Sequence, residues 1–371
     1  MIKIKTLATD SSSRARVTRM ELNGVEFKTP IFMPVGTRAT VKTLDSHELD
    51  ELDFEILLGN TYHLFLRPGS GRIEAAGGLA KFMGYSGLTL TDSGGFQVYS
   101  LKDLRKIDEK GVEFRSIIDG SKHRFEPAYV VQIQREIGAD IMMAFDECPP
   151  GDAGKNYVAQ SMKKTHRWLQ ECVDEFHKER KHQHLFGIIQ GGVFSDLRKE
   201  SQEYVQSSEV DGIAVGGLSV GETRDQMQDV LSTLSHNYPE AKPRYLMGVG
   251  TPWDFLQAVS HGIDMFDCVM PSRVARHGKL YTTRGSINIL NSKFREMDES
   301  VDKDCQCKVC TRYSASYLHH LFREKEFTAL RLATYHNLYF FKTFMEKMRD
   351  SIEQGTFQEF KKTWEEVYPK P

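Results

Sequence analysis

Eight times between Ile31 and Phe266 a short apolar run stops at a glycine, an amide or a carboxylate, and helix-like sequence separates the runs. They are 31–35, 54–58, 88–90, 140–145, 185–189, 213–215, 245–247 and 263–266. Runs this short and uniformly apolar suit strands covered on both faces, as in a parallel sheet. A doubly wound sheet would also alternate strand and helix. Eight units in roughly 240 residues, with polar residues at the exits, instead predict a closed (β/α)8 barrel of the α/β class whose exits share one rim.

Local signals support the same reading. Asp45 and Glu48 stand at capping-box spacing, Thr223 and Gln226 likewise, and Thr251-Pro252 places a cap before an N1 proline. A helix opens near Pro127 and runs to Gly138. A longer one carries Trp168, Leu169, Cys172 and Phe176 on one face. Residues 1–30 alternate apolar and polar and break at Asn23-Gly24, which predicts a small antiparallel lid before the barrel. A hairpin is expected at 105–125, with Asp119-Gly120 at its turn. The expected divisions are 1–291 for barrel and lid, 292–338 for a zinc-binding subdomain inserted after the eighth strand, and 339–371 for C-terminal helices closing the barrel.

The exits then form a chemical inventory: Asn60, Asp92-Ser93, Asp146, Gln190, Gly216-Gly217, Met247 and Asp267. So much polarity on one rim implies a ligand, since a sealed core would not tolerate it. Each residue also fits a plainer role. Asp267 could cap a helix, Asp92 in Thr-Asp-Ser-Gly-Gly could bond its own turn, and Phe96 and Met247 could be core. Two carboxylates facing each other across about 5 Å suit retaining glycosyl transfer, one as nucleophile and one as acid/base. An Asp-plus-Gln pair matches the edge of a guanine-like base, and Phe96 and Met247 could sandwich its ring. Cys148 has no nearby His to activate it and reads as pocket wall.

Six cysteines in 371 residues are no disulfide framework. Cys305, Cys307 and Cys310 cluster, and a fourth ligand from His319, His320 or His336 would complete a structural zinc site. Cysteine usage, the absence of a membrane-length apolar segment and the lack of an apolar core in Met1–Asp10 together lead us to expect a cytoplasmic protein. The near-neutral net charge of −2 does not exclude a nucleic-acid partner, because a local basic face is enough. Such a face is suggested by Arg273, Arg276, Lys279, Arg284, Lys293 and Arg295, a stretch without acids that directly follows Asp267.

Taken together, Gly59-Asn60-Thr61-Tyr62-His63-Leu64, Thr91-Asp92-Ser93-Gly94-Gly95-Phe96-Gln97, Phe145-Asp146-Glu147-Cys148, Gln190-Gly191-Gly192, Gly216 to Glu222 and Phe266-Asp267-Cys268 resemble the tRNA-guanine transglycosylases of bacterial type. The zinc pattern does too, and the family's spacing selects His336. The resemblance spans essentially the whole chain. It implies exchange of the wobble guanine of GUN-anticodon tRNA for 7-aminomethyl-7-deazaguanine, a step toward queuosine, with one structural zinc and no organic cofactor. By matched position Asp267 would be the nucleophile and Asp92 the general acid/base. Ser93, Asp146, Gln190 and the Gly217 backbone would hold the base, with Phe96 and Met247 as the sandwich. The Leu218 carbonyl and Glu222 would read the substituent of the incoming base. Arg273 and Arg276 would contact the anticodon loop, and a homodimer is implied. Many bacterial members carry Tyr at Phe96, where stacking survives and any hydroxyl role does not. Competing readings are a noncatalytic RNA-binding subunit of the same fold, which would be expected to lack Asp92 or Asp267, and a zinc-dependent hydrolase.

Overall fold

The computed structural model describes residues 2–99, 101 and 104–371. An antiparallel sheet of β1 (Lys3–Thr9), β2 (Arg16–Leu22) and β3 (Val25–Thr29) leads the chain, with Asn23-Gly24 at the β2–β3 turn. The eight expected runs all become strands: β4 (Ile31–Met33), β5 (Ile56–Gly59) and β6 (Leu88–Thr91) come first. A three-stranded sheet of β7 (Arg105–Ile107), β8 (Val112–Arg115) and β9 (Lys122–Phe125) interrupts them, one strand more than the hairpin expected there. Then follow β10 (Ile141–Met143), β11 (His184–Ile189), β12 (Gly212–Val215), β13 (Arg244–Leu246) and β14 (Met265–Asp267). A hairpin, β15 (Lys279–Thr282) and β16 (Gly285–Asn288), comes last.

The eight strands pair in parallel in the order β4-β14-β13-β12-β11-β10-β6-β5. The ring closes where Leu58 N–H bonds Pro34 O at 2.9 Å and Gly36 N–H bonds Leu58 O at 2.7 Å. Short strands suffice because helices cover the outer face and side chains fill the inside. Ile31, Met33, Ile56, Leu58, Leu88, Leu90, Ile141, Met143, Phe186, Ile188, Ala214, Tyr245 and Met265 pack inward, while Phe32, Leu57, Met142, Leu185, Ile213, Leu246 and Phe266 pack outward. Burying each large apolar side chain contributes about 1.5–3 kcal/mol. The same alternation decides where function sits. Two residues beyond Leu58, Leu90, Ile188, Tyr245 and Met265 stand Asn60, Asp92, Gln190, Met247 and Asp267, all on the inward parity at the C-terminal mouth.

The N-terminal sheet closes the opposite end. Met20, Leu22 and Phe27 join the inward cluster, and Asn23 Nδ2 donates to Asp140 Oδ1, just before β10, at 2.7 Å. It is therefore a floor, far from the catalytic-looking mouth. Arg16 anchors it with a bidentate grip on buried Asp264, Nε to Oδ1 at 2.9 Å and Nη2 to Oδ2 at 2.7 Å.

Beyond β14 the helix Phe327–Glu353 runs unbroken past residue 338, so one element carries His336 and also packs on the barrel. Phe341 meets Phe32 at 5.3 Å between ring centroids. The helix Phe357–Val367 folds back over it, and Tyr368 Oη donates to Thr282 O at 2.7 Å. No described helix is long and apolar enough to cross a membrane.

Candidate active site

Asp267 ends β14 with its side chain turned to the mouth. Its Oδ1 accepts two hydrogen bonds, from Tyr245 Oη at 2.5 Å and Gly248 N–H at 2.7 Å. Among the described residues no hydrogen bond reaches Oδ2. Burial holds the carboxyl above the usual carboxylate range, opposed by these donors. The helix that follows starts only at Met270 with Val269 as its cap, so the plain role of Asp267 as an N-cap does not apply.

Asp92 leaves β6 into a different cradle. Oδ1 accepts from Thr61 N–H at 2.9 Å and Gly94 N–H at 3.2 Å; Oδ2 accepts from Asn60 Nδ2 at 2.5 Å and Gln97 Nε2 at 2.8 Å. Burial nevertheless pushes its pKa up to about 6, the four donors only partly offsetting it. Tyr245, which bonds Asp267, also lies within reach of the Asp92 charge. Its hydroxyl, deep in the barrel interior, has its pKa raised by burial, by Asp267 and by the charge of Asp92 as well.

Asp146 follows β10. Gln190 Nε2 donates to its Oδ2 at 2.7 Å and Ser93 Oγ to its Oδ1 at 3.0 Å. Burial pushes this pKa up to about 6 too, with the neighbouring Glu147 charge adding to it. Two glycines make the cluster possible. A Cβ on Gly95 would lie 2.6 Å from Asp146 O, and one on Gly217, at φ +65°, would collide with Gln190 Oε1. That Oε1 is buried without a hydrogen-bond partner, a state that suits an acceptor completed by a ligand donor.

The remaining expected residues fall around this centre. Met247 is half-buried against the inward cluster, and Phe96 is 51 % exposed at the rim. Leu218 is buried, whereas Glu222 turns back on its own loop and accepts from Ser219 N–H at 2.6 Å and Val220 N–H at 3.0 Å. Cys148 is buried and burial pushes its thiol up to about 12, as a wall residue requires. Arg273 is exposed on the short helix after Asp267, and Arg276 beside it donates to Ser272 O at 2.7 Å. The rest of the basic stretch is not all free: Arg284 pairs with Asp304 at 3.4 Å.

The cysteine cluster is settled by its histidine. His336 Nδ1 lies 3.9, 3.5 and 3.4 Å from the sulfurs of Cys305, Cys307 and Cys310, and the four ligand atoms lie within 4.8 Å of one another. A tetrahedral ion with bonds of about 2.3 Å to sulfur and 2.0 Å to nitrogen sets such pairs about 3.6 Å apart. His336 Nε2 stands 2.8 Å from Tyr281 O, which holds its proton there and leaves Nδ1 free for metal. His319 instead contacts Ile289 O. The group could hold one zinc ion, with no ligand position left over for chemistry.

Two contributors were not foreseen from sequence as site residues: Tyr245 and the Gly248 N–H. Tyr245 carried a signal, because a Tyr on the inward parity of a barrel strand needs a partner for its hydroxyl.

The sequence that builds this arrangement matches known proteins. A family model described as queuine tRNA-ribosyltransferase matches residues 10–370. Relatives bearing that name include the protein of Caldanaerobacter subterraneus subsp. tengcongensis, 49 % identical over 367 residues, covering 99 % of this chain and 98 % of the relative. That of Halothermothrix orenii is 49 % identical over 360 residues, 97 % of this chain and 96 % of the relative. That of Leptospira biflexa is 48 % identical over 359 residues and 97 % of each. With the match running from floor to final helix, the chain belongs to the queuine tRNA-ribosyltransferase family.

Proposed function

We propose that the protein is a pentosyltransferase that exchanges the wobble guanine of GUN-anticodon tRNA for 7-aminomethyl-7-deazaguanine, in queuosine biosynthesis in the cytoplasm. Asp267 Oδ2 attacks C1′ of the ribose, the bond from C1′ to guanine N9 breaks, and its electron pair leaves with the base. Asp92 delivers the proton that neutralises the departing guanine. The incoming base then gives a proton to Asp92 and attacks C1′, and the bond to Asp267 opens again. Tyr245 and Gly248 N–H, both on Oδ1, stabilise the carboxylate that departs in this second half. A carboxyl with a pKa near 6 suits Asp92, since it must carry a proton in one half-reaction and lack it in the next.

The single observation that carries this reading is that Asp92 and Asp267, each two residues beyond an inward-facing strand residue, stand buried and held by hydrogen bonds at the same barrel mouth. Asp146, Gln190, Ser93 and the Gly217 N–H hold the edge of the base, and Phe96 and Met247 stack on its faces. Leu218 and Glu222 meet the substituent, while Arg273 and Arg276 hold phosphates of the anticodon loop. The target base leaves its stack to enter, as in other base-modifying enzymes. Zinc, held by Cys305, Cys307, Cys310 and His336, supplies structure alone, and the working unit is a homodimer. Incubation with tRNA and labelled guanine should place label in a GUN-anticodon transcript and not in one with another wobble base. No incorporation into the GUN transcript would reject the reading.

A further inference from the structure

Arg198, on the helix Ser195–Ser207, is fully buried and spends its guanidinium on backbone carbonyls alone. Nε donates to Gly192 O at 2.7 Å, Nη1 to Ile189 O and Gly216 O at 2.8 Å each, and Nη2 to Gly217 O at 3.3 Å. It thereby ties the exit of β11 to the exit of β12. Burying an arginine without a carboxylate partner is expensive, and a neutral side chain could brace two loops at lower cost. The fixed fork of five donors is what a neutral side chain lacks.

The consequence follows from the planar trans peptide, in which a carbonyl and the next residue's N–H point in opposite directions. With Gly216 O drawn to Arg198, the Gly217 N–H faces the other way. It donates to no group among the described residues. Gln190 Oε1 stands beside Gly217, close enough to forbid a Cβ there. The Gln190 peptide is fixed from both flanks, Ile189 O by Arg198 and Gln190 N–H by Ser201 Oγ at 3.0 Å. We propose that Arg198 is a positioning residue for base recognition, which presents the Gly217 N–H to the oxo group of a guanine-type base. This rests on the base-exchange reading above.

The test uses the full-length protein and compares guanine with 2-aminopurine, which lacks the oxo group and the N1 proton, as inhibitors of labelled-guanine exchange, so that only the variant-to-wild-type change in their ratio is read. Arg198→Lys should weaken guanine by about tenfold or more while 2-aminopurine moves less than about threefold, because one specific hydrogen bond is lost. Affinity for tRNA should stay unchanged. Gln202→Leu is the comparator: it removes a bond from the same helix to Leu234 O, touches neither exit loop, and should lower Tm without altering the ratio. An unchanged guanine to 2-aminopurine ratio in folded Arg198→Lys would overturn the inference. Should that variant not fold, hydrogen exchange on the wild-type protein decides. Guanine should protect the Gly217 amide and 2-aminopurine should not; equal protection by both overturns the proposal. If the wild-type protein exchanges no base at all, the base-exchange reading falls instead.

Discussion

Asp264 and Asp267 flank the same short strand and face opposite demands. At the floor, Asp264 is wholly buried and both oxygens are taken: Oδ1 by Arg16 Nε, and Oδ2 by Arg16 Nη2 and by Arg244 N–H at 2.9 Å. At the mouth, Asp267 has both its donors on one oxygen and, among the described residues, no cation partner. The first carboxylate is saturated and joins the N-terminal sheet to the barrel. The second is held in place yet left reactive. A barrel thus separates stability from chemistry by strand direction, with the N-terminal ends holding the fold and the C-terminal ends holding the site.

Five variants would break or sharpen that contrast. The largest effect is expected at the mouth: Asp267→Asn should cut base exchange by about 10⁴-fold or more, as loss of a nucleophile does. Its Tm at pH 7 should be unchanged or higher, because a carboxylate raised by burial is removed. At the floor the pattern inverts. Asp264→Ala leaves Arg16 buried without its partner and should cost about 3–5 kcal/mol in denaturant unfolding, with exchange per folded molecule retained. Tyr245→Phe, which removes one of the two donors on Asp267, should slow single-turnover transfer by about 10- to 100-fold. Full activity in this variant would place the burden on Gly248 alone.

The smallest effect is in pH. Release of guanine should slow as pH rises through about 6, where Asp92 loses the proton it must deliver. Asn60→Ala removes a donor that favours the carboxylate, so this slowing should move to higher pH. The stability linkage has a definite sign. Asp92 is raised from 3.8 to about 6 in the fold, so the folded protein binds the extra proton between about pH 4 and 6. Stability from this group falls as pH rises through that window, and Asp92→Asn should flatten the fall in Tm over the same range.

Much of this is legible in the sequence. The eight runs, the Thr223–Gln226 capping box and the Pro127–Gly138 helix depend on local patterns, and the structure forms each as expected. Inward parity then carries Asp92, Gln190 and Asp267 to one rim without further information. What stayed hidden were contacts across the barrel. Spacing alone does not choose among His319, His320 and His336, because the ligand comes from a separate helix. The sheet at residues 3–29 reads as a lid, but only packing of Met20, Leu22 and Phe27 into the interior reveals that it closes the floor. Arg198 looks like any surface cation on a polar helix until the two glycine exits are seen folding over its fork.

The central claim is that Asp267 carries the ribose. The decisive measurement is mass spectrometry of peptides from the protein–tRNA adduct, trapped without an incoming base, digested with nuclease and protease. The account predicts a ribosyl-nucleotide remnant on Asp267 and none on Asp92, Asp146 or Asp264. The same remnant on Asp92 or Asp146, or an undiminished adduct in Asp267→Asn, would contradict it.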